Sequence, residues 1–267
     1  MSLRRVSSIG VLTFIFSIAV VVQTWPISLS GLTKSQRFTI EELREKVQED
    51  LPEAYMKEDL YLLRWLSAKN FDVNQAAKLL RENLKWRREN RIDTIMQEDW
   101  SQMDGDFPYT LNNFDKQGRP ILYFSYGDWD IRKLAIAGML PKLGRYFSKM
   151  FEDADMKVRA MRAQGSNITQ FNMIMNMDGY NLAQHACLPC LPFYTTLSQT
   201  LEARYPGTAE RVVFVNAPTV FEVVLGLIRG VLSSQARETM KIYGTDRKLW
   251  ESKLLEFIDR NQFPGDL

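Results

Sequence analysis

The most constraining stretch of this chain is residues 219–232, TVFEVVLGLIRGVL, in which only Glu222 and Arg229 carry charge. At helical spacing those two fall on one narrow stripe with Gly226 between them, and every other direction around the helix is apolar. A helix laid on a sheet needs a single apolar stripe, so this one is either covered on both sides or turns one face to lipid. Two readings follow: a wholly buried core helix, or a lid whose inner face touches a bound lipid and whose outer face can enter a bilayer. Gly226 and Gly230 each weaken a helix by roughly 1 kcal/mol relative to Ala, which makes it easier to move. Asn216-Ala217-Pro218 just before it supplies a sharp strand-to-helix transition, with Pro218 where a first-turn proline is tolerated.

The chain around this segment alternates between helical and extended patterns. Helices are expected over 39–50, 58–68 and 72–91, the last capped by Asp72 with Gln75 three residues on and carrying Val73, Ala77, Leu80 and Leu84 on one face. Its basic row of Arg81, Lys85 and Arg88 either meets anionic headgroups or is a solvated face. A turn at Asp115-Lys116-Gln117-Gly118-Arg119-Pro120 precedes a strand at 121–126. A helix at 132–163 broken near Pro141, a strand at 169–178, a helix at 192–203, a strand at 211–216 and a helix at 246–260 complete the pattern. Such alternation predicts an α/β fold, a mixed or parallel sheet with helices packed on it. The divisions expected are a signal peptide or membrane anchor at 1–30, a helical unit at 31–104 and the α/β domain at 105–267.

Within the strand at 169–178, Phe171, Met173, Met175 and Met177 alternate with polar or aliphatic neighbours and so share one sheet face. Methionine fills irregular space, which suits the floor of a pocket for a flexible chain; an ordinary core beneath a helix reads the same way. The expected pocket joins these four residues and Tyr123 to Phe221, Val224, Leu225, Ile228 and Leu232 of the apolar helix.

Composition removes several classes of function. Against 34 Lys and Arg stand 32 Asp and Glu, and a net charge of +2 gives no field that argues for nucleic acid. The one histidine, His185, leaves no room for the usual catalytic triads, and His185, Cys187 and Cys190 supply only three soft ligands where structural zinc takes four. No phosphate-binding loop occurs, so no catalytic residue, metal or cofactor is expected. The best enzyme alternative is thiol–disulfide exchange at Cys187-Leu188-Pro189-Cys190, which precedes a helix; a short-range structural disulfide or two inert thiols are the others.

Arg4 and Arg5 before an uncharged apolar run at 9–22, shorter than the about 20 residues a spanning helix needs, predict a cleaved secretory signal with an uncleaved anchor as the alternative. Asn167-Ile168-Thr169 is an acceptor tripeptide for N-glycosylation, consistent with a secreted glycoprotein.

Taken together, these residues resemble the CRAL-TRIO lipid-binding family over about residues 38–263. The resemblance is carried by Leu62-Leu63-Arg64-Trp65-Leu66 through Lys69-Asn70-Phe71-Asp72-Val73, the turn at 115–120, Asp178-Gly179, Tyr205-Pro206, and Asn216-Ala217-Pro218 leading into Val220-Phe221. It implies a non-enzymatic, monomeric carrier that binds a phospholipid, tocopherol or other isoprenoid, or fatty acid in an apolar pocket. The helix at 219–232 is implied to gate that pocket and to touch membranes transiently. In the phosphatidylinositol-binding branch a Glu after Tyr-Pro and a Lys beyond the gate hold the headgroup; here those positions resemble Gly207 and Thr239, while a basic residue of that site is kept as Lys69. A module that grips a protein partner with its apolar helix is the remaining alternative.

Overall fold

The computed structural model describes residues 28–265 and 267; the apolar run at 9–22, and with it the expected secretion signal, lies outside them. Three helices come first. α1 (Lys34–Val47) begins ahead of the segment its sequence pattern marks, because Thr33 and Gln36 cap it reciprocally, Thr33 Oγ1 accepting the Gln36 backbone N–H at 3.1 Å and Gln36 Oε1 the Thr33 N–H at 2.9 Å. α2 (Asp59–Ala68) and α3 (Val73–Glu89) follow, and Asp72 caps α3 by accepting from the Gln75 backbone N–H at 3.0 Å. The three bury Leu43, Val47, Leu62, Leu66, Leu80 and Leu84 in a core of their own. Of the basic row, Arg81 pairs with Asp50 at 2.8 Å and Lys85 lies 3.8 Å from Glu89, both on the exposed side.

Beyond them come α4 (Ser101–Asp106), β1 (Thr110–Phe114), β2 (Pro120–Ser125), α5 (Ile131–Ile136), α6 (Leu140–Ala163), β3 (Phe171–Asn176), α7 (Leu182–His185), α8 (Leu191–Arg204), β4 (Ala209–Val215), α9 (Glu222–Val231), α10 (Ser234–Thr239), β5 (Met240–Ile242) and α11 (Arg247–Leu255). The strands form a mixed sheet in the order β1-β2-β3-β4-β5, with β1 antiparallel to β2 and the other neighbours parallel. The helix expected at 132–163 is two helices. Gly138, at φ +68°, ends the first, and Pro141 sits in the opening turn of the second, where its missing N–H costs no bond.

Two local devices set the sheet. Asp115, almost fully buried, accepts from the Gln117 and Arg119 backbone N–H groups at 2.9 and 2.8 Å and from Asn172 Nδ2 at 2.9 Å, so the turn at 115–120 is bonded directly to β3. After β4, Asn216 takes φ +54°, receives the Trp250 indole N–H on Oδ1 at 2.8 Å and donates from Nδ2 to Asn176 Oδ1 at 2.9 Å. That places α9 over one face and α11 against the other. At the carboxyl ends of β2 and β3 the chain passes very close to itself: a Cβ on Gly127 would stand 1.6 Å from the Asp178 carbonyl oxygen, and Gly179 holds φ +83°. This contact is the physical reason for the Asp178-Gly179 pair.

The sheet is covered on both faces. Ile121, Tyr123, Ile174, Val213 and Val215 pack against Trp250 and Leu254 of α11, with Ile258 beyond it. Leu122, Phe124, Phe171, Met173, Met175 and Phe214 face the larger core under α6, α8 and α9. Two buried ion pairs fasten the first three helices to that core. Arg64 lies 2.8 Å from Asp155 and donates to the Thr169 carbonyl at 2.8 Å; Arg87 donates to Glu152 at 2.6 and 3.2 Å and to Asp93 at 2.5 Å.

Candidate functional site

The larger core is not filled. Between the methionine face of β3 and the helices above it lies a cavity of about 940 Å³. Its floor is Met173, Met175 and Met177 of β3 with Val212 and Phe214 of β4. Phe147 and Phe151 of α6, one helical turn apart, form one wall; Tyr194, Leu197 and Leu201 of α8 form the next. The roof is Phe221, Ile228, Val231 and Leu232.

The roof helix is not wholly buried. On α9, Val224, Leu225 and Ile228 are buried, whereas Val223 is 54% exposed and Leu227 40%, and Val220 just before the helix is 39% exposed. It is therefore apolar on both its buried and its solvent sides. Its two charges sit together on the exposed surface, Arg229 Nη1 3.3 Å from Glu222 Oε2. No atom lies within 4 Å of a Cβ built at Gly226 or Gly230, so neither glycine is required by packing.

Of the expected pocket residues, Met173, Met175, Met177, Phe221, Ile228 and Leu232 line the cavity, and Lys69, Gly207 and Thr239 lie on its rim. Three do not reach it although they share its side of the molecule. Phe171, at the start of β3, packs against Phe151 with ring centroids 5.5 Å apart, and Val224 and Leu225 anchor α9 in the surrounding core. Tyr123 is a correction: it lies on the opposite sheet face against α11, because strand side chains alternate and its same-face neighbours in β2 are Ile121 and Ser125. The cavity-facing residues that pattern reasoning passed over were legible by spacing: Phe147 and Phe151 by a step of four, Tyr194, Leu197 and Leu201 by steps of three and four, Val212 and Phe214 by alternation.

The two ends of the cavity differ. Its rim carries Lys69, Arg211 and Lys241 beside Glu202, Glu210 and Glu238, so charges of either sign are equal in number. Glu202 is engaged by the Ser233 backbone N–H, at 2.9 and 3.1 Å to its two oxygens. The opposite end, at the carboxyl edge of the sheet, is closed by a neutral cluster. Tyr126 donates from Oη to Tyr194 Oη at 2.9 Å, and Tyr194 donates to the His185 carbonyl at 2.6 Å. Tyr180 stacks on the His185 ring at 4.7 Å and meets Phe221 edge-on at 5.3 Å. Among the described residues Tyr180 Oη and His185 Nε2 are buried without a hydrogen-bond partner. Burial pushes the phenols of Tyr126 and Tyr194 far above their usual range and that of Tyr180 up to about 12; it lowers His185. Burial thus disfavours the charged form of each of these groups.

Cys187 and Cys190 form a disulfide at the start of α8, and Cys190 is fully buried. Asn167 is exposed on the loop between α6 and β3. Among the described residues no helix is long and apolar enough to cross a membrane.

Comparison with known proteins agrees with this geometry. Residues 105–267 match the family model described as the CRAL/TRIO domain. Similar sequences include "Protein real-time" of Aedes aegypti, 27% identical over 243 residues, covering 90% of this chain and 38% of that protein. The "CRAL-TRIO domain-containing protein T23G5.2" of Caenorhabditis elegans is 27% identical over 213 residues, or 78% of this chain and 29% of that one. This chain thus spans only about a third of the curated relatives it matches. Among solved structures, "Crystal structure of Sfh5" superposes with a TM-score of 0.67 at 17% identity, covering 82% of this chain and 83% of that one.

Proposed function

We propose, from the premise that this chain belongs to the CRAL/TRIO family, that its cavity encloses one lipophilic molecule and that α9 opens to release it at a membrane. Proteins of this family are in general carriers of lipophilic molecules rather than enzymes. The observation that carries the proposal for this chain is the cavity itself: about 940 Å³, floored by three methionines and roofed by a helix whose other side leaves Val223 and Leu227 in water. Small-molecule sites run to about 300–1,000 Å³, so this space holds a lipid-sized ligand. Enclosing a chain of about sixteen carbons contributes on the order of 10 kcal/mol before ordering costs are subtracted. That suffices without a charged headgroup, and the equal charges on the rim give an anionic headgroup no advantage. Gly207 and Thr239 offer neither the carboxylate nor the ammonium of the phosphatidylinositol-binding pattern, so the cargo extends to tocopherol, another isoprenoid, a fatty acid or a neutral phospholipid.

The compartment we propose is the secretory pathway, supported by the paired cysteines and by the exposed Asn167. We also propose a monomer that touches membranes transiently; the exposed apolar side of α9 supports the membrane contact.

The test is transfer of pyrene-labelled phosphatidylcholine and of tocopherol between donor and acceptor vesicles by the full chain. The protein is expected to accelerate at least one, and Met175→Trp, which fills the cavity while keeping it apolar, to abolish the acceleration. Transfer unaffected by Met175→Trp contradicts the proposal.

A further inference from the structure

The chain's only two cysteines are joined within a single turn. Cys187 and Cys190 lie three residues apart, and a cross-link over so short a span restrains the unfolded chain least. It ties no two elements together. The turn is already closed by its backbone, since the Cys190 and Leu191 N–H groups both donate to the Cys187 carbonyl, at 2.7 and 3.2 Å. A purely structural role leaves this placement unexplained.

The placement suits exchange. The turn Leu188–Cys190 passes into α8 without a break in helical backbone, with Cys190 at φ −79°, ψ −31° and Leu191 at φ −58°, ψ −43°. Cys187, extended at ψ 152°, stands at the head of that helical course, where free N–H groups and the helix dipole favour a thiolate. Cys190 lies one turn further in and is fully buried, whereas Cys187 is partly exposed. The pair thus has an outer sulfur that a thiol can reach and an inner one that it cannot. Beside the outer sulfur, Leu188 is 84% exposed, and Ile136, on the α5 helix that packs against this turn, is 74% exposed. Both offer apolar contact to a chain lying across Cys187.

We propose that Cys187–Cys190 is a redox-active disulfide that oxidises the dithiol of an apolar polypeptide segment by exchange at Cys187. A thiolate of the partner attacks Cys187 Sγ, the S–S bond breaks, and Cys190 takes the electron pair and a proton. The partner's second thiolate then attacks the partner sulfur of the mixed disulfide, and Cys187 leaves as the thiolate that the helix end stabilises. The partner loses two electrons and gains a disulfide; the pair gains two electrons and becomes a dithiol. One of the partner's two protons ends on Cys190 and the other on Cys187 or in water. Neither cysteine lines the cavity, so this inference stands apart from the carrier reading.

The first test needs no variant. The full-length protein is equilibrated in glutathione buffers of rising reduced fraction, quenched in acid, alkylated and weighed. The pair is expected to pass from disulfide to dithiol within that series; a pair still oxidised under a hundredfold excess of reduced glutathione behaves as a structural disulfide and overturns the proposal. In the reduced protein, iodoacetamide at pH 6 should label Cys187 about three- to tenfold faster than it labels glutathione, and Cys190 more slowly. Labelling of Cys187 no faster than glutathione overturns it as well. Cys190→Ser should trap a mixed disulfide on Cys187 with a reduced two-cysteine peptide, severalfold faster when Leu flanks the cysteines than when Ser does. Equal rates for the two peptides overturn the choice of an apolar segment as partner.

Discussion

Arg87 and Glu152 form a pair in which each side chain is under a tenth exposed. Truncating one member strands the other as a buried charge, which costs about 3–5 kcal/mol. Glu152→Ala is therefore expected to lower the unfolding free energy measured by urea titration by that amount, far more than loss of the exposed Arg229–Glu222 pair, whose contribution is about 0–1 kcal/mol. Asp155 adds a pH dependence. Burial works to raise its carboxyl, but Arg64 and Arg159 outweigh burial and hold it below its ordinary value of 3.8. The unfolded chain then binds this proton more readily than the folded one. The stabilisation is fully present above the unfolded value and is lost as pH falls below about 4 through the lower folded value. Urea unfolding at pH 6 and pH 3 should show a larger loss in the natural protein than in Asp155→Asn, since Glu98 and Asp99 are also held low and lose stability in both; equal losses in both would contradict the assignment.

At the scale of elements, α9 is the part whose behaviour matters most. Its glycines face open space, so Gly226→Ala with Gly230→Ala should stabilise the helix by roughly 1 kcal/mol each without disturbing a neighbour. If opening involves loosening of this helix, transfer between vesicles slows severalfold while the bound fraction at equilibrium holds; an unchanged rate would mean that the helix moves as a rigid unit. The outer side is tested by Val223→Asp with Leu227→Asp, expected to abolish adsorption to vesicles while leaving uptake of detergent-dispersed lipid intact. Gly127 is the opposite kind of glycine. Ala there would place its Cβ on the Asp178 carbonyl, and a loss of well over 3 kcal/mol by thermal denaturation is expected, since both contacting groups are backbone.

The same scale shows how much of the architecture sequence reasoning could reach. Long periodic elements such as α3 and the alternating β3 were legible because their pattern repeats several times. β5, three residues long, and α7, four, carry too few repeats to show a period, and both are held by neighbours distant in the chain. The methionine face of β3 was readable as a face; which of its residues reach the cavity was not, since that depends on Phe151 packing over Phe171. Tyr123 was misplaced because the whole of β2 through Phe124 is buried, so hydrophobicity alone gave no sign of which side each residue faced. The Tyr126–Tyr194–His185 chain joins three segments and had no local signature.

In the whole molecule, the two sheet faces and the helical core beside them surround one space. The α11 side of the sheet is closely packed, the helical core of α1–α3 is locked on by Arg64 and Arg87, and the space left over lies beneath α9. A cavity that large and that apolar costs stability when empty, so a ligand that fills it should raise the melting temperature by mass action. The most direct measurement is native mass spectrometry of the full chain expressed through a secretory pathway, followed by solvent extraction. A one-to-one complex with a lipophilic molecule, lost in Met175→Trp, is predicted. A clean ligand-free mass across preparations supplemented with phospholipids, tocopherol, sterols and fatty acids would contradict the carrier account.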